Sequence, residues 1–159
     1  FKQKTAYEIG VRLVGSEMCI RDRYCEWLGR EMGLYDDPFQ GFGQLDMEMF
    51  RAARLVVDSG LHAKAWDRER AIRYMLDNTS LDRAAVTQEV DRYIVWPGQA
   101  TAYKVGELFI KRLRTKAENR LGARFDIREF HAQVLGSGAI PLAVLERKID
   151  DWIARSAGG

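Results

Sequence analysis

Two segments of the sequence concentrate side chains that can bind a ligand or polarise a reacting group. In the first, RAARLVVDSGLH, Arg51 and Arg54 lie on one helical face, and Asp58 follows Arg54 at the i,i+4 spacing that lets a carboxylate orient a guanidinium. His62 comes just past the expected helix end, where it can contact a substrate. The alternatives are a solvated, salt-bridged face, which is favoured when this segment is taken alone, and a histidine that stabilises the helix C-terminus.

The second segment, RYIVWPGQATAYKVG, covers residues 92–106. A helix that begins after Pro97-Gly98 has free backbone N–H groups at its start, and Gln99 and Tyr103 fall on one face with Gly106 one turn beyond. One ligand could therefore contact the Gln99 amide and the Tyr103 phenol and approach the backbone closely at Gly106. The spacing is equally compatible with Tyr103 as an amphipathic core residue and Gly106 as a helix-packing contact.

The sequence lacks the patterns of several other catalytic sites. His62 and His131 are its two histidines, and there is no H-E-x-x-H, no C-x-x-C and no aspartate-rich calcium loop, so this chain alone cannot assemble a metal site. A nucleophile elbow and a phosphate-binding glycine loop are also missing. We assign His131 to helix packing, because its neighbours Phe130 and Val134 have the pattern of core residues.

The first 23 residues differ from the rest of the chain. Lys2–Glu8 and Leu13–Asp22 back-translate, in one frame, into a flow-cell primer and a transposase-type adapter of short-read sequencing libraries. We therefore interpret residues 1–23 as translated adapter and residues 24–159 as native protein. The first segment holds five basic and three acidic residues, which leaves twenty of each in the second. This balance removes support for a nucleic-acid or anionic-membrane partner, and no apolar run reaches the roughly 18 residues of a membrane span.

The elements that must position these residues are predicted to be helices. Residues 36–43, DDPFQGFG, are expected to form a turn-rich connection, and Gly60 is expected to stop the helix that carries Arg54. Further start and stop signals are N-caps at Asp67, Ser80 and Asp126, a break at Pro97-Gly98, a helix end at Gly122 and an N1 proline at Pro141. No stretch shows the period-two alternation of a strand. The sequence therefore predicts an all-α fold of about six helices.

Seven segments after residue 23 follow an order found in a known bacterial family. The most specific is R-Y-x-x-x-P-G-Q-A-x-x-Y-x-x-G at 92–106, within a match that covers 89–108. The others are Y-x-E-W-L at 24–28, GLYDDP at 33–38, RAARLVVDSGLH at 51–62, LR-x-x-A at 113–117, LGARFDIREFHAQVL at 121–135 and G-A-I-P-L-x-V-L-E at 138–146. In these segments the chain resembles the family known as domain of unknown function 885.

The family resembles zinc metallopeptidases, which implies a larger, mostly helical fold for the complete protein. Its members carry an H-E-x-x-P-G-H-H helix upstream and then an E-G-W-A-L-Y segment, whose last residue Tyr24 matches. The resemblance implies that residues 24–159 are the C-terminal helical portion of that fold. The complete protein would bind zinc, whereas this fragment would bind none, because it would lack the zinc ligands and the general base, and it would be inactive alone. The implied partners are a peptide substrate and the missing N-terminal half.

Residue roles follow from the same resemblance. Tyr103 is the candidate donor to the oxyanion that forms when a peptide carbonyl is attacked. Arg54 is expected to hold a substrate carboxylate or to pair with Asp58. Further candidates for substrate contacts are His62, Arg92, Tyr93 and Gln99.

The alternative function is a helical binding or scaffold module without catalytic activity. Such a module should bury its own helices completely, whereas a portion of a larger enzyme should leave an apolar surface where the rest of the protein docks. The residues that would report the difference are the four tryptophans, Trp27, Trp66, Trp96 and Trp152.

Overall fold

A computed structural model describes residues 18–138 and 140–158, with side chains from residue 24 onward. The described residues form seven α-helices and a short 3-10 turn and contain no strand, which confirms the all-α prediction with one helix more than expected. The elements are α1 (Met18–Glu31), α2 (Pro38–Ala63), α3 (Arg68–Asn78), α4 (Arg83–Val95), α5 (Gln99–Leu121), the 3-10 turn (Gly122–Arg124), α6 (Ile127–Leu135) and α7 (Leu142–Gly158). None of these helices is long and apolar enough to cross a bilayer.

The segment interpreted as translated adapter lies largely outside the described residues. Residues 1–17 are not among them, and residues 18–23 form the first turns of α1. The interpretation of residues 1–23 as adapter therefore stays a prediction.

The predicted connection at residues 36–43 is wrong, because most of it belongs to α2. Asp37 is the N-cap of this 26-residue helix: its Oδ1 accepts a hydrogen bond from the N–H of Phe39 at 2.8 Å, and Pro38 occupies the first turn. An Asp-Pro pair is a turn signal in one context and a helix start in another. Here the glycines that follow continue the helix.

The predicted helix stop at Gly60 is also wrong, because α2 continues to Ala63. A Cβ at position 60 would lie 2.5 Å from the ring of Trp66, so the glycine is required by the close approach of the indole. Tertiary packing therefore explains this glycine, and its conformational freedom is not used to end the helix.

The other boundaries follow their local signals closely. Asp67 and Asp126 are N-caps, the chain breaks at Pro97-Gly98, and α5 ends before Gly122, as predicted. The prediction for Ser80 is wrong: Asp82 caps α4 by accepting from the N–H of Ala85 at 2.8 Å, and the Ser80 hydroxyl donates to Asp46 instead. At Pro141 the carbonyl accepts from the first turn of α7, so the proline stands one position earlier than predicted.

Two hydrophobic clusters form the interior of the described residues. The first joins α2, α3, α4 and the start of α5, and the second joins α1, the rest of α5, α6 and α7. The 23-residue helix α5 links them, because Ala100 is buried in the first and Ile110 in the second. The first cluster places α2, α4 and the start of α5 side by side, and these helices carry both segments singled out in the sequence.

His131 packs in the second cluster, as predicted. Its ring meets the ring of Tyr24 edge-on at 5.5 Å, and its Nε2 lies 3.0 Å from the Tyr24 hydroxyl. Burial lowers the pKa of His131, and the nearby charge of Arg114 adds to this effect. The contact ties α6 to α1.

Candidate functional site

The carboxylate of Glu89 on α4 brings most of the predicted site residues together. It accepts hydrogen bonds from Arg54 Nη2 at 2.8 Å, from Arg92 Nη2 at 2.8 Å and from the Tyr93 hydroxyl at 2.6 Å. Arg54 reaches it from α2, whereas Arg92 and Tyr93 follow it by three and four residues on α4. We refer to Arg54, Glu89, Arg92, Tyr93, Gln99 and Tyr103 as the Glu89 cluster.

The electrostatics of the Glu89 cluster favour an ionised carboxylate and a neutral phenol. Burial alone would raise the pKa of Glu89, but hydrogen bonds from Arg92 and Tyr93 and the charges of the two arginines outweigh it and lower the pKa to about 2. Burial raises the pKa of the Tyr93 phenol well above its usual range. At neutral pH the cluster therefore contains two guanidiniums and one carboxylate.

A series of hydrogen bonds runs from Glu89 to Tyr103. Arg92 Nη1 donates to Gln99 Oε1, and Gln99 Nε2 donates to the Tyr103 hydroxyl oxygen at 3.1 Å. The contact with the guanidinium determines which end of the Gln99 amide is oxygen, because a guanidinium can only donate. Since the Tyr103 oxygen accepts from Gln99, the phenol is oriented from within the protein. The predicted shared face of Gln99 and Tyr103 is confirmed.

Arg54 is held among aromatic rings. Its guanidinium carbon lies 4.1 Å from the ring centre of Phe50 and 5.3 Å from that of Tyr103, and its Nε donates to the Tyr93 hydroxyl at 2.9 Å. The side chain is only 12% exposed. Nε and Nη2 make its hydrogen bonds to the described residues, and Nη1 makes none. The predicted pairing of Arg54 with Asp58 is wrong.

The sequence suggested a solvated, salt-bridged face around Arg51 and Arg54; the salt bridges are present, but the two arginines are not solvated. Arg51 binds Glu26 on α1 through two hydrogen bonds of 2.8 and 3.2 Å, and its side chain is 4% exposed. The two arginines of this face therefore connect α2 to two different helices. A guanidinium in such a setting contributes through packing of its stem as well as through charge.

Asp58 holds the turn that starts α5. Both of its carboxylate oxygens lie 3.0 Å from the N–H of Gly98, which has a left-handed backbone with φ of 80°. Burial raises the pKa of Asp58, although the Gly98 N–H and the charges of His62 and Arg92 counteract it. Because the helix that carries Gln99 and Tyr103 begins at this turn, Asp58 helps to position both side chains.

The sequence had suggested that His62 comes just past the end of the helix. In the structure it lies inside α2. Its Nε2 is 3.0 Å from the backbone carbonyl of Tyr93, and a carbonyl can only accept, so Nε2 donates. In a regular helix that carbonyl would accept from residue 97, which is Pro97 and has no N–H. His62 therefore satisfies a carbonyl that the proline leaves unpaired.

Sequence reasoning missed Glu89 and the role of Asp58. A local signal for Glu89 existed, since Arg92 and Tyr93 follow it at the i,i+3 and i,i+4 spacings at which helical side chains meet. No local signal linked Asp58 to Gly98, because 40 residues separate them.

Exposed apolar side chains lie beside the site and along α2. Trp96, just after α4, is 57% exposed, and Val95 beside it is also exposed. On α2 a line of exposed apolar residues follows the helical repeat; we call it the α2 stripe, and it consists of Phe42, Leu45, Met49 and Val56. Of the other tryptophans, Trp152 is buried, and Trp27 and Trp66 are partly buried.

Other candidate sites lie away from the Glu89 cluster or are missing from the described residues. A cavity of ≈ 110 Å³ between α1, α5 and α6 is lined mainly by apolar side chains and by Tyr24 and His131, and it contains none of the predicted site residues. Within the part of the chain that the structure describes, no three His, Cys, Asp or Glu side chains are grouped so that they could hold a metal ion.

Comparison with known proteins gives a family and a solved relative. The model of a family described as bacterial protein of unknown function (DUF885) matches residues 23–149, which confirms the family that the sequence motifs predicted. A crystal structure described as that of "the putative lipoprotein from Colwellia psychrerythraea" is 49% identical with a TM-score of 0.82. The similarity covers 84% of this chain and 23% of that protein, so the chain spans less than a quarter of its length. No protein of curated function matches.

Proposed function

Because this chain belongs to the bacterial family of unknown function DUF885, we propose that it is the C-terminal, substrate-side portion of a zinc-dependent metallopeptidase. The observation that carries the proposal is the hydrogen-bond series from Glu89 through Arg92 and Gln99 to Tyr103. Structural support of a helix end requires no such series, whereas a phenol that must donate to a reacting oxygen benefits from being oriented in advance.

In this proposal Tyr103 donates a hydrogen bond to the oxyanion that develops when a peptide carbonyl is attacked. Gln99 holds the phenol oxygen in place, and Arg92 holds Gln99, so little reorganisation is needed as charge develops. Asp58 acts as a positioning residue, because it anchors the turn from which Gln99 and Tyr103 extend.

The described residues do not fit a zinc site, since they offer no group of three metal-binding side chains. In the proposal the rest of the complete protein binds the ion. Its chemistry when bound is to lower the pKa of a coordinated water. This portion of the protein contributes substrate contacts and the oriented phenol.

The α2 stripe supports a portion of a larger fold over a self-contained binding or scaffold module. Its four apolar side chains are exposed, whereas other residues of the same helix are buried against neighbouring helices. Several exposed apolar side chains on one helix are typical of a surface that other protein covers. The rest of the complete protein would cover it.

The direct test compares this fragment with a complete protein that contains residues 24–159 in its full sequence. Metal analysis and hydrolysis of a peptide library are measured on both. We expect one zinc ion and hydrolysis for the complete protein and neither for the fragment. A complete protein that binds no zinc and cleaves no peptide would refute the enzyme proposal and favour the scaffold module.

A second test concerns Tyr103 in the same complete protein. Tyr103→Phe removes the hydroxyl and should lower kcat by about 100- to 1000-fold with little change in KM, because the hydrogen bond is made to developing charge. The matched control is Tyr74→Phe, which changes a partly buried tyrosine of α3 that packs on Trp66. An unchanged kcat/KM in Tyr103→Phe would rule out the oxyanion role even if zinc binding and hydrolysis are confirmed.

A further inference from the structure

The Glu89 cluster contains two positive charges and one negative charge, so one positive charge is not neutralised within it. Arg54 and Arg92 share the single carboxylate of Glu89. Asp58 bonds to the Gly98 N–H and to neither arginine, although it lies close enough to Arg92 to feel its charge. The other buried cations near α2 have their own partners, since Arg51 binds Glu26 and Lys104 binds Glu48 and Glu107. The surplus positive charge therefore lies on Arg54 and Arg92.

Arg54 also keeps a hydrogen-bond donor for a ligand. Its Nε and Nη2 are used within the cluster, whereas Nη1 makes no hydrogen bond to a described residue. The stacked rings and the two existing bonds hold the guanidinium plane, so a ligand need not order it. The cluster is not sealed, because Arg54 is 12% and Arg92 28% exposed at the side chain.

The surroundings favour an anion attached to an apolar group. The rings of Phe50 and Tyr103 flank the Arg54 guanidinium directly. Val95 and Trp96 follow Arg92 by three and four residues, so these exposed apolar side chains lie on its side of the helix end. A free phosphate or sulfate would not use these apolar surfaces, whereas the carboxylate of an apolar residue would.

We propose that the Glu89 cluster binds the free C-terminal carboxylate of a peptide substrate whose last side chain is apolar, with Arg54 Nη1 as the principal donor. The inference rests on the proposed function and makes the enzyme a peptidase that acts near the C-terminus of its substrates. Two roles were expected for Arg54. The structure excludes the pairing with Asp58, and the role that remains is to hold a substrate carboxylate.

The test uses the complete protein and two peptides of the same sequence that end in leucine, one as the free acid and one as the amide. The acid should have a KM lower by roughly 10- to 100-fold, the range of a hydrogen bond to a charged group. Arg54→Gln should abolish this preference, so that the ratio of the KM values for the acid and the amide rises to about one. Arg54→Lys keeps a charge beside Glu89, so it remains informative if Arg54→Gln fails to fold, and it should lose most of the preference.

The control and the opposing outcomes separate this inference from the enzyme proposal. Arg68→Gln removes a guanidinium of α3 that pairs with Asp91 at the surface, and the preference for the acid should persist. Equal KM values for acid and amide in the unchanged protein would overturn the carboxylate site and leave the peptidase intact. If neither peptide is cleaved, calorimetric binding of both decides: acid-selective binding lost in Arg54→Gln supports the site, and equal or absent binding overturns it.

Discussion

Replacing Glu89 with glutamine should destabilise the fold, because it removes the carboxylate that two arginines share. Hydrogen bonds and charges depress the pKa of Glu89 from its ordinary 4.5 to about 2. At about 1.4 kcal/mol per pKa unit, this depression corresponds to about 3 kcal/mol of stability at neutral pH. The side chain is 24% exposed, so solvent screens it little. We expect Glu89→Gln to lower the free energy of unfolding at pH 7 by about 3 kcal/mol.

The loss should depend on pH with a definite sign. The pKa of Glu89 is lower in the folded than in the unfolded chain, so its stabilisation is complete above about 4.5 and disappears as pH falls toward about 2. Glutamine resembles the protonated acid at every pH. The difference in unfolding free energy between the two proteins should therefore be constant from pH 7 to 5 and shrink steadily below it.

Urea denaturation followed by far-ultraviolet circular dichroism at pH 7, 5, 4 and 3 measures this difference. Other titrating groups, such as Asp58, are common to both proteins and largely cancel. The control is Asp91→Asn, on the same helix as Glu89. It removes an exposed carboxylate that pairs with Arg68, and it should lower the free energy of unfolding much less. A difference that stays the same at every pH, or one no larger than that of Asp91→Asn, would refute the assignment of Glu89 as the centre of the cluster.

The remaining predictions concern three positions in α2 and use the same denaturation measurement. Asp58→Ala leaves the Gly98 N–H without an acceptor and should lower the free energy of unfolding by about 1–3 kcal/mol. Asp58→Asn keeps an acceptor oxygen and should lower it less. Equal losses in the two variants would contradict the anchoring role. Gly60→Ala should destabilise by about 1–3 kcal/mol, because its Cβ would overlap Trp66. Gly43→Ala, which meets no neighbour, should stabilise by about 0.5–1 kcal/mol, and similar effects at both glycines would contradict the packing explanation.

Most helix boundaries could be predicted because their signals act within one turn. Asp67 and Asp126 each accept a hydrogen bond from a backbone N–H two or three residues ahead, and Pro97 cannot continue a helix that needs its N–H. The same reasoning placed Gln99 and Tyr103 on one face. It failed at residues 36–43, where the Asp-Pro pair starts a helix that the following glycines continue, and at Gly60, where the glycine makes room for the ring of Trp66.

The sequence by itself determined the all-α class, the family and every residue of the Glu89 cluster except Glu89. Only the tertiary structure decided their partners: Arg54 binds Glu89 at a separation of 35 residues, and Asp58 binds Gly98 at a separation of 40. A helical i,i+4 pair gains only about 0.2–0.5 kcal/mol, whereas leaving a buried polar group unpaired costs about 1–3 kcal/mol. Once α2 packs against α4 and α5, the need to satisfy buried groups therefore outweighs the local pairing that the sequence suggests.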